Sequence, residues 1–298
     1  MSAEIREPDR SEAPPLARFL GEYALAVFGE AELSEDEVRH WFSLPGIWMR
    51  VAVRNGRVVG YLDVVARADG MRFDVDARTL DRNIAEALLS AAEEHARPQA
   101  GHGAVLRGYA PGQEPALAEV FARDGWVPIR HFFQMQIELG DELPEPRWPE
   151  GIAVRTFRSG EEARVYEAQM AAFADHWDFH PQTMEEWLHE GVESPRFDPS
   201  LWWLAEDGGE VAGLALTAWH HSDDPHFGWV AVLGVRPAWR RRGLGKALLL
   251  HSFGEFRRRG ATRVGLGVDA ENTAGAVRLY ERAGMKVARR HDAYEKTL

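Results

Sequence analysis

A chain of 298 residues can bury about three-quarters of its unfolded surface, as one large domain or two of ordinary size. Its 45% hydrophobic and 28% charged residues exclude the disordered, collagen-like and membrane classes, and no apolar run reaches the length of a bilayer span. A net charge of −12 opposes nucleic acid and anionic lipid, while the lack of cysteine removes disulfides, thiolate metal sites and cysteine nucleophiles.

In chain order, the opening MSAEIREPDR is too charged for a signal peptide, so a cytoplasmic location is expected. Asn55-Gly56-Arg57-Val58-Val59-Gly60 forms a turn that opens a strand. A strand through Val75 and a helix containing Ala85 to Glu94 follow, joined by Arg78-Thr79-Leu80-Asp81-Arg82-Asn83-Ile84, which holds no glycine. Ala118-Glu119-Val120-Phe121-Ala122-Arg123-Asp124-Gly125-Trp126 comes next, a stretch that returns later in the chain. The three prolines of Asp141 to Gly151 mark a stiff linker.

Beyond the linker the pattern starts again. Gly208-Gly209-Glu210-Val211-Ala212-Gly213 matches the first turn, with Gly60 and Gly213 153 residues apart. Val277 to Met285 matches Ala118 to Trp126, with Phe121 and Tyr280 159 residues apart. A strand at Ile152 to Phe157, a helix at Glu161 to Ala174 and a helical stretch around Trp187 open this second copy. Strands Trp202 to Glu206, Val211 to His220 and Gly228 to Val235 come next. A helix from Gly243 to Arg259, a strand from Arg263 to Val268, a helix from Thr273 to Ala283 and a last strand from Lys286 to Lys296 complete it. The expected organisation is a domain over 1–140, a linker over 141–151 and a second domain over 152–298.

The junction after Val235 carries the chemistry. Arg236-Pro-Ala-Trp-Arg-Arg-Arg-Gly-Leu-Gly-Lys246 runs directly into a helix, so close backbone approach, orphan N–H groups and the helix dipole would all favour a phosphate. From Arg236 to Arg263 nine basic residues face the single acid Glu255, a local polyanion site on an acidic chain. A Walker loop would need glycine at 240 and Ser or Thr at 247, where Arg240 and Ala247 stand; a dinucleotide fingerprint would need glycine at 248, which is Leu248.

The series Val235-x-Pro237-x-x-Arg240-x-x-Gly243-x-Gly245, with Asn272, Tyr280 and Gly284 behind it, resembles the acyl-CoA site of the GNAT superfamily of N-acyltransferases. The resemblance covers the second copy from about Ile152 to the end, and the two-copy arrangement is similar to tandem members such as the mycothiol synthase-like proteins. It implies a mixed α/β fold of two tandem GNAT-like domains, each a central mixed, mostly antiparallel sheet flanked by helices. It also implies acetyl-CoA as co-substrate, with Leu233, Gly234 and Val235 along the pantetheine and thioester. Arg240, Arg241, Arg242, Gly243, Leu244, Gly245 and Lys246 would lie at the pyrophosphate, Asn272 on the cofactor and Tyr280 beside its sulfur, as the catalytic residue that could protonate the departing thiolate. The first copy lacks the loop glycines and has Phe121 where Tyr280 stands, so it reads as a degenerate copy.

The implied reaction is attack of a small molecule's primary amine on the thioester, in a monomer or homodimer with no metal, nucleic acid or membrane involved. An ammonium with pKa near 10.4 must first lose a proton, at a cost of roughly 4 to 5 kcal/mol at neutral pH. Relatives often place a glutamate on the strand before Leu233, but this chain has Trp229, Val230 and Ala231. The base candidates are therefore His220, His221, Asp223, Asp224 and His226, together with His176 and His180. The indoles of Trp177, Trp187, Trp202, Trp203, Trp219 and Trp229 could hold a cationic acceptor by cation–π contact. From these sets His176, Trp177, Trp219, His220 and Trp229 are the substrate residues expected. The rival reading is a non-catalytic acyl-CoA- or ligand-binding protein.

Overall fold

The computed structural model describes residues 3–67, 69–222, 224–272 and 275–298. In chain order the elements of the first half are β1 (Glu4–Arg6), α1 (Ala13–Phe28), α2 (Glu35–Trp41), β2 (Ile47–Arg54), β3 (Arg57–Ala66), β4 (Arg72–Arg78), α3 (Arg82–Ala96), β5 (Val105–Pro111), α4 (Pro115–Arg123) and β6 (Val127–Glu138). The second half contributes β7 (Ile152–Thr156), α5 (Glu162–Phe173), α6 (Met184–Glu190), β8 (Trp202–Asp207), β9 (Glu210–Trp219), β10 (Phe227–Val235), α7 (Leu244–Arg258), β11 (Arg263–Asp269), α8 (Ala276–Arg282) and β12 (Lys286–Thr297). Every element expected in the second copy is present, mostly within a residue or two. The helix expected from Thr273 begins at Ala276, and Thr273 itself lies outside the described residues. None of the described helices is long and apolar enough to cross a membrane.

Two compact units result, Met1–Phe132 with Arg289–Leu298, and Phe133–Ala288. The first holds strands in the order β1-β2-β3-β4-β5-β12 and the second β6-β11-β10-β9-β8-β7. Each sheet is mostly antiparallel, with β4 running parallel to β5 in the first and β10 parallel to β11 in the second. Most of β12 thus completes the first unit, where Arg107 of β5 faces Glu295 across the ladder. Residues Phe133–Glu138 of β6 belong to the second.

The repeat is visible in local geometry. The β2–β3 turn takes positive φ at Asn55 and Gly56, and the β8–β9 turn does so at Gly208 and Gly209. Paired left-handed residues match the right-handed twist of the flanking strands. Both hairpins carry a register shift just before the turn, at Ala52/Val53 and Ala205/Glu206. Apolar stripes pack the helices on the sheets: Leu88 and Leu89 of α3 join Leu62, Phe73 and Leu106, while Leu249, Phe253 and Phe256 of α7 join Val230, Val264 and Leu266. Gly260 ends α7 at φ +93, the left-handed stop the sequence implied.

Candidate functional site

The site is built at the end of β10. This strand pairs in parallel with β11 only from Phe227 to Val230, opposite Arg263 to Leu266. A register shift between Val230 and Val232 bulges Ala231 out of the ladder with β9, which then continues to Val235. Leu233, Gly234 and Val235 therefore stay bonded on one side after the parallel pairing with β11 has stopped, which splays the sheet. Gly234 is needed at this point for space: a Cβ there would lie 3.0 Å from Ala172 and from Phe173 of α5, tighter than ordinary packing.

The loop from the splay reaches α7 through two left-handed residues, Arg241 at φ +62 and Gly243 at φ +88. A Cβ at Gly243 would meet nothing within 4 Å, so its backbone conformation, not crowding, calls for glycine. Gly243 is the N-cap of α7 and brings no side-chain cap, and the first helical bond runs from the Ala247 N–H to the Gly243 carbonyl at 3.1 Å. The N–H groups of Leu244, Gly245 and Lys246 precede that bond and point out of the helix end, where an anion is favoured by charge and dipole. A Cβ at Gly245 would fall in ordinary contact with Leu279 and Val235, so the glycine leaves that space open.

The basic residues divide by task. Arg241, Arg242 and Lys246 are exposed at the loop, with Arg242 3.7 Å from Asp207. Arg240 faces inward instead: it donates to the carbonyls of Val235 (3.0 Å) and Ala172 (2.9 Å) and pairs with Asp175, which it holds down at a pKa of about 2. Its guanidinium ties the loop to the end of α5 and is already committed to protein partners.

Tyr280 lies on α8, 8% exposed, against the apolar cluster of α7 and β11. Burial pushes its phenol up to a pKa of about 12, and its hydroxyl makes no hydrogen bond to a described residue. Asn272 stands at the approach to α8, its Oδ1 accepting a weak 3.5 Å bond from the Ala276 N–H.

A cavity of about 220 Å³ opens on the same strand, just before the splay. Trp229, Ala231 and Val232 line it from β10, Trp187 and Glu190 from α6, and Arg196 and His221 from loops. Of the expected substrate residues only Trp229 lines it. His220 is 7% exposed, stacked on Phe227 at 4.1 Å with its Nδ1 2.9 Å from the Ser222 hydroxyl. Trp219 packs edge-on against Phe256, and His176 lies against Phe173, where burial lowers its pKa. Trp177 is 40% exposed. Among the other base candidates, Asp224 pairs with Arg263, the His226 ring lies 2.9 Å from the Gly260 carbonyl, and Asp223 falls outside the described residues. Sequence spacing could not have found Gln169, Glu190 or Arg196, because the cavity draws on α5, α6, three loops and three strands. Among the described residues no group of three or more His, Asp or Glu side chains is placed to hold a metal.

In the first unit the corresponding helix end is closed. The Asp81 carboxylate accepts from the N–H groups of Asn83 (3.0 Å) and Ile84 (3.4 Å) and pairs with Arg54 at 2.6 Å. Phe121, at the position of Tyr280, is 1% exposed between Trp126 and Tyr294.

The fold and this site define an acetyltransferase: the chain belongs to the GNAT family in its tandem, two-repeat form, and it is an N-acyltransferase. Residues 163–285 match the model of the Acetyltransferase (GNAT) family. The chain is similar to a mycothiol acetyltransferase of Geodermatophilus obscurus, 35% identical over 94% of each chain. Among solved structures, a GCN5-related N-acetyltransferase from Sphaerobacter thermophilus has a TM-score of 0.81 at 32% identity, covering 99% of this chain and 95% of its own. A tandem GNAT protein from the clavulanic acid biosynthesis pathway, at 16% identity and a TM-score of 0.77 over 99% and 98% of the two chains, shares the fold.

Proposed function

We propose that the protein transfers the acetyl group of acetyl-CoA to the primary amine of a small cationic molecule, of the mycothiol type by likeness to the named relatives. As repeats, residues 1–140 are a degenerate copy, 141–151 a linker and 152–298 the catalytic copy. The observation that carries this reading is the uncapped N-terminus of α7, entered through left-handed Arg241 and Gly243 beside the splayed end of β10. Pyrophosphate fits the N–H groups from Arg241 to Lys246, with exposed Arg241, Arg242 and Lys246 adding charge. Leu233, Gly234 and Val235 offer backbone to the pantetheine, and Asn272 flanks it. Arg240 acts by holding the loop in place.

In this reading Tyr280 acts beside the leaving sulfur. With its phenol near 12 and a thiol near 8.5, full proton transfer to the thiolate would be uphill by about 5 kcal/mol. Its contribution is therefore a hydrogen bond donated to sulfur as charge develops, which is strongest where water is excluded. The acceptor occupies the cavity beside Ala231, whose indole walls suit a cation, as does the overall charge of −12.

Calorimetry with acetyl-CoA and release of free CoA with a panel of amines test this reading. One acetyl-CoA per chain and amine-dependent release are expected. Two equivalent sites would overturn the degenerate-copy assignment, and tight binding without release from any amine would overturn the transfer.

A further inference from the structure

Deprotonation of the acceptor ammonium needs a base, and β10 supplies none: the residues around the bulge are Trp229, Val230 and Ala231. The described cavity wall carries only three titratable side chains, Glu190, Arg196 and His221. Arginine stays protonated at any working pH and serves as no base. Glu190 sits on α6, exposed, and accepts a 2.6 Å bond from Gln182, a position suited to attracting a cation at the mouth. His221 lies in the turn after β9, half-buried, and is the one of the three that carries an imidazole, a side chain able both to accept and to donate a proton.

That turn is held from outside the strand. One guanidinium, that of Arg196, donates Nη1 to the His220 carbonyl and Nη2 to the His221 carbonyl, both at 2.9 Å. The backbone carrying His221 is thereby fixed against the cavity that Trp229, Ala231 and Val232 close from β10. Among the described residues that line the cavity, the charged or titratable groups beside His221 are Arg196 and Glu190, and the His220 ring centroid lies 6.0 Å from that of His221.

On the reading of acetyl transfer given above, we propose that His221 is the catalytic base that takes a proton from the acceptor ammonium. The neutral amine nitrogen then forms the C–N bond to the acetyl carbon, the C–S bond breaks, and the sulfur leaves with the electron pair. The second proton, shed by the attacking nitrogen, ends on that sulfur, while the first passes from His221 to solvent. Products are the N-acetyl amine, CoA as its thiol and one released proton. Arg196 is a positioning residue for this step.

The test measures kcat/KM from about pH 6 to 10 for wild type, His221→Gln and His221→Asn, with amines of high and low pKa. A lost general base costs about 10²-fold or more. That loss is expected at pH 7 with a high-pKa amine, shrinking toward wild type at high pH and with amines already neutral. Acetyl-CoA affinity by calorimetry stays within threefold, which also reports that the variants are folded. Activity within threefold of wild type at pH 7 in either folded variant overturns the proposal, as does a loss equal at every pH and for every amine. A wild type that binds acetyl-CoA but releases no CoA with any amine overturns the transfer reading, and this proposal with it.

Discussion

The two units place a helix after the same strand, and the two helix ends have opposite fates. At α3 the Asp81 carboxylate caps the first-turn N–H groups and is itself neutralised by Arg54. At α7 the cap is Gly243, which has nothing to offer those groups. β4 pairs with β3 in unbroken register from Phe73 to Arg78, whereas β10 is bulged at Ala231. Phe121 is locked in an aromatic stack where Tyr280 keeps a hydroxyl. The comparison teaches that the fold alone does not make an anion site. At α3 an internal carboxylate takes first-turn N–H groups that an external anion would need, and at α7 no side chain does so.

The largest effect is expected from making α7 resemble α3. Gly243→Asp puts a carboxylate on the open N–H groups and forces a β-carbon into a left-handed conformation that costs about 1–2 kcal/mol. Acetyl-CoA affinity should fall about 10³-fold by calorimetry, and unchanged affinity would remove the α7 end from the site. Next comes Tyr280→Phe, which makes the second unit resemble Phe121. Here kcat should fall about 10²-fold with acetyl-CoA affinity nearly unchanged. A large drop in thermal stability instead would mark Tyr280 as a packing residue.

Asp81→Ala runs the comparison in reverse. It removes a cap and the partner of Arg54, so about 1–2 kcal/mol of stability should be lost. Stoichiometry should stay at one acetyl-CoA per chain; a second site would mean that Asp81 alone keeps the first unit closed.

The smallest effect is a pH dependence confined to the first unit. Glu114 is buried and bonded by the Tyr23 hydroxyl, and burial pushes its pKa from 4.5 up to about 7. A carboxyl raised in the folded state contributes stability at low pH that is lost as pH rises from about 4.5 through 7. His291 acts oppositely: burial lowers its pKa from 6.5, so its contribution is present above that value and lost as pH falls through the lowered folded value. The two slopes partly cancel in the wild type. Glu114→Gln removes one of them, so the variant's melting temperature should gain on wild type between pH 5 and 7.5. A gap that does not change with pH would show that Glu114 is ionised in the folded protein.

Much of this was legible in the chain because it is written at short range. Asn55-Gly56 and Gly208-Gly209 determine hairpin turns through backbone conformation alone, and Gly260 stops α7 in the same way. The Gly243-x-Gly245 loop, the nearby arginines and the missing loop glycines of the first repeat are likewise local facts, since a helix end and the residues that cap it are only a few positions apart.

Long-range packing decided the rest. Runs of like residues do not say which arginine turns inward, and only the packing of α5 on β10 committed Arg240 to Asp175 and Ala172. Of the expected substrate residues, His220 is buried against Phe227 and the partly buried Trp219 packs on Phe256, while the cavity took Glu190, Arg196 and His221 from separate segments. Arg107 and Glu295, 188 residues apart, pair because β12 crosses into the first unit, and a strand's partner depends on burying a whole sheet face rather than on its own pattern. By itself the sequence determined the turns, the helix ends and the class of chemistry. Tertiary packing decided which side chains line the cavity and how strongly Tyr280 holds its proton, because burial and neighbouring charge are properties of contacts between distant segments.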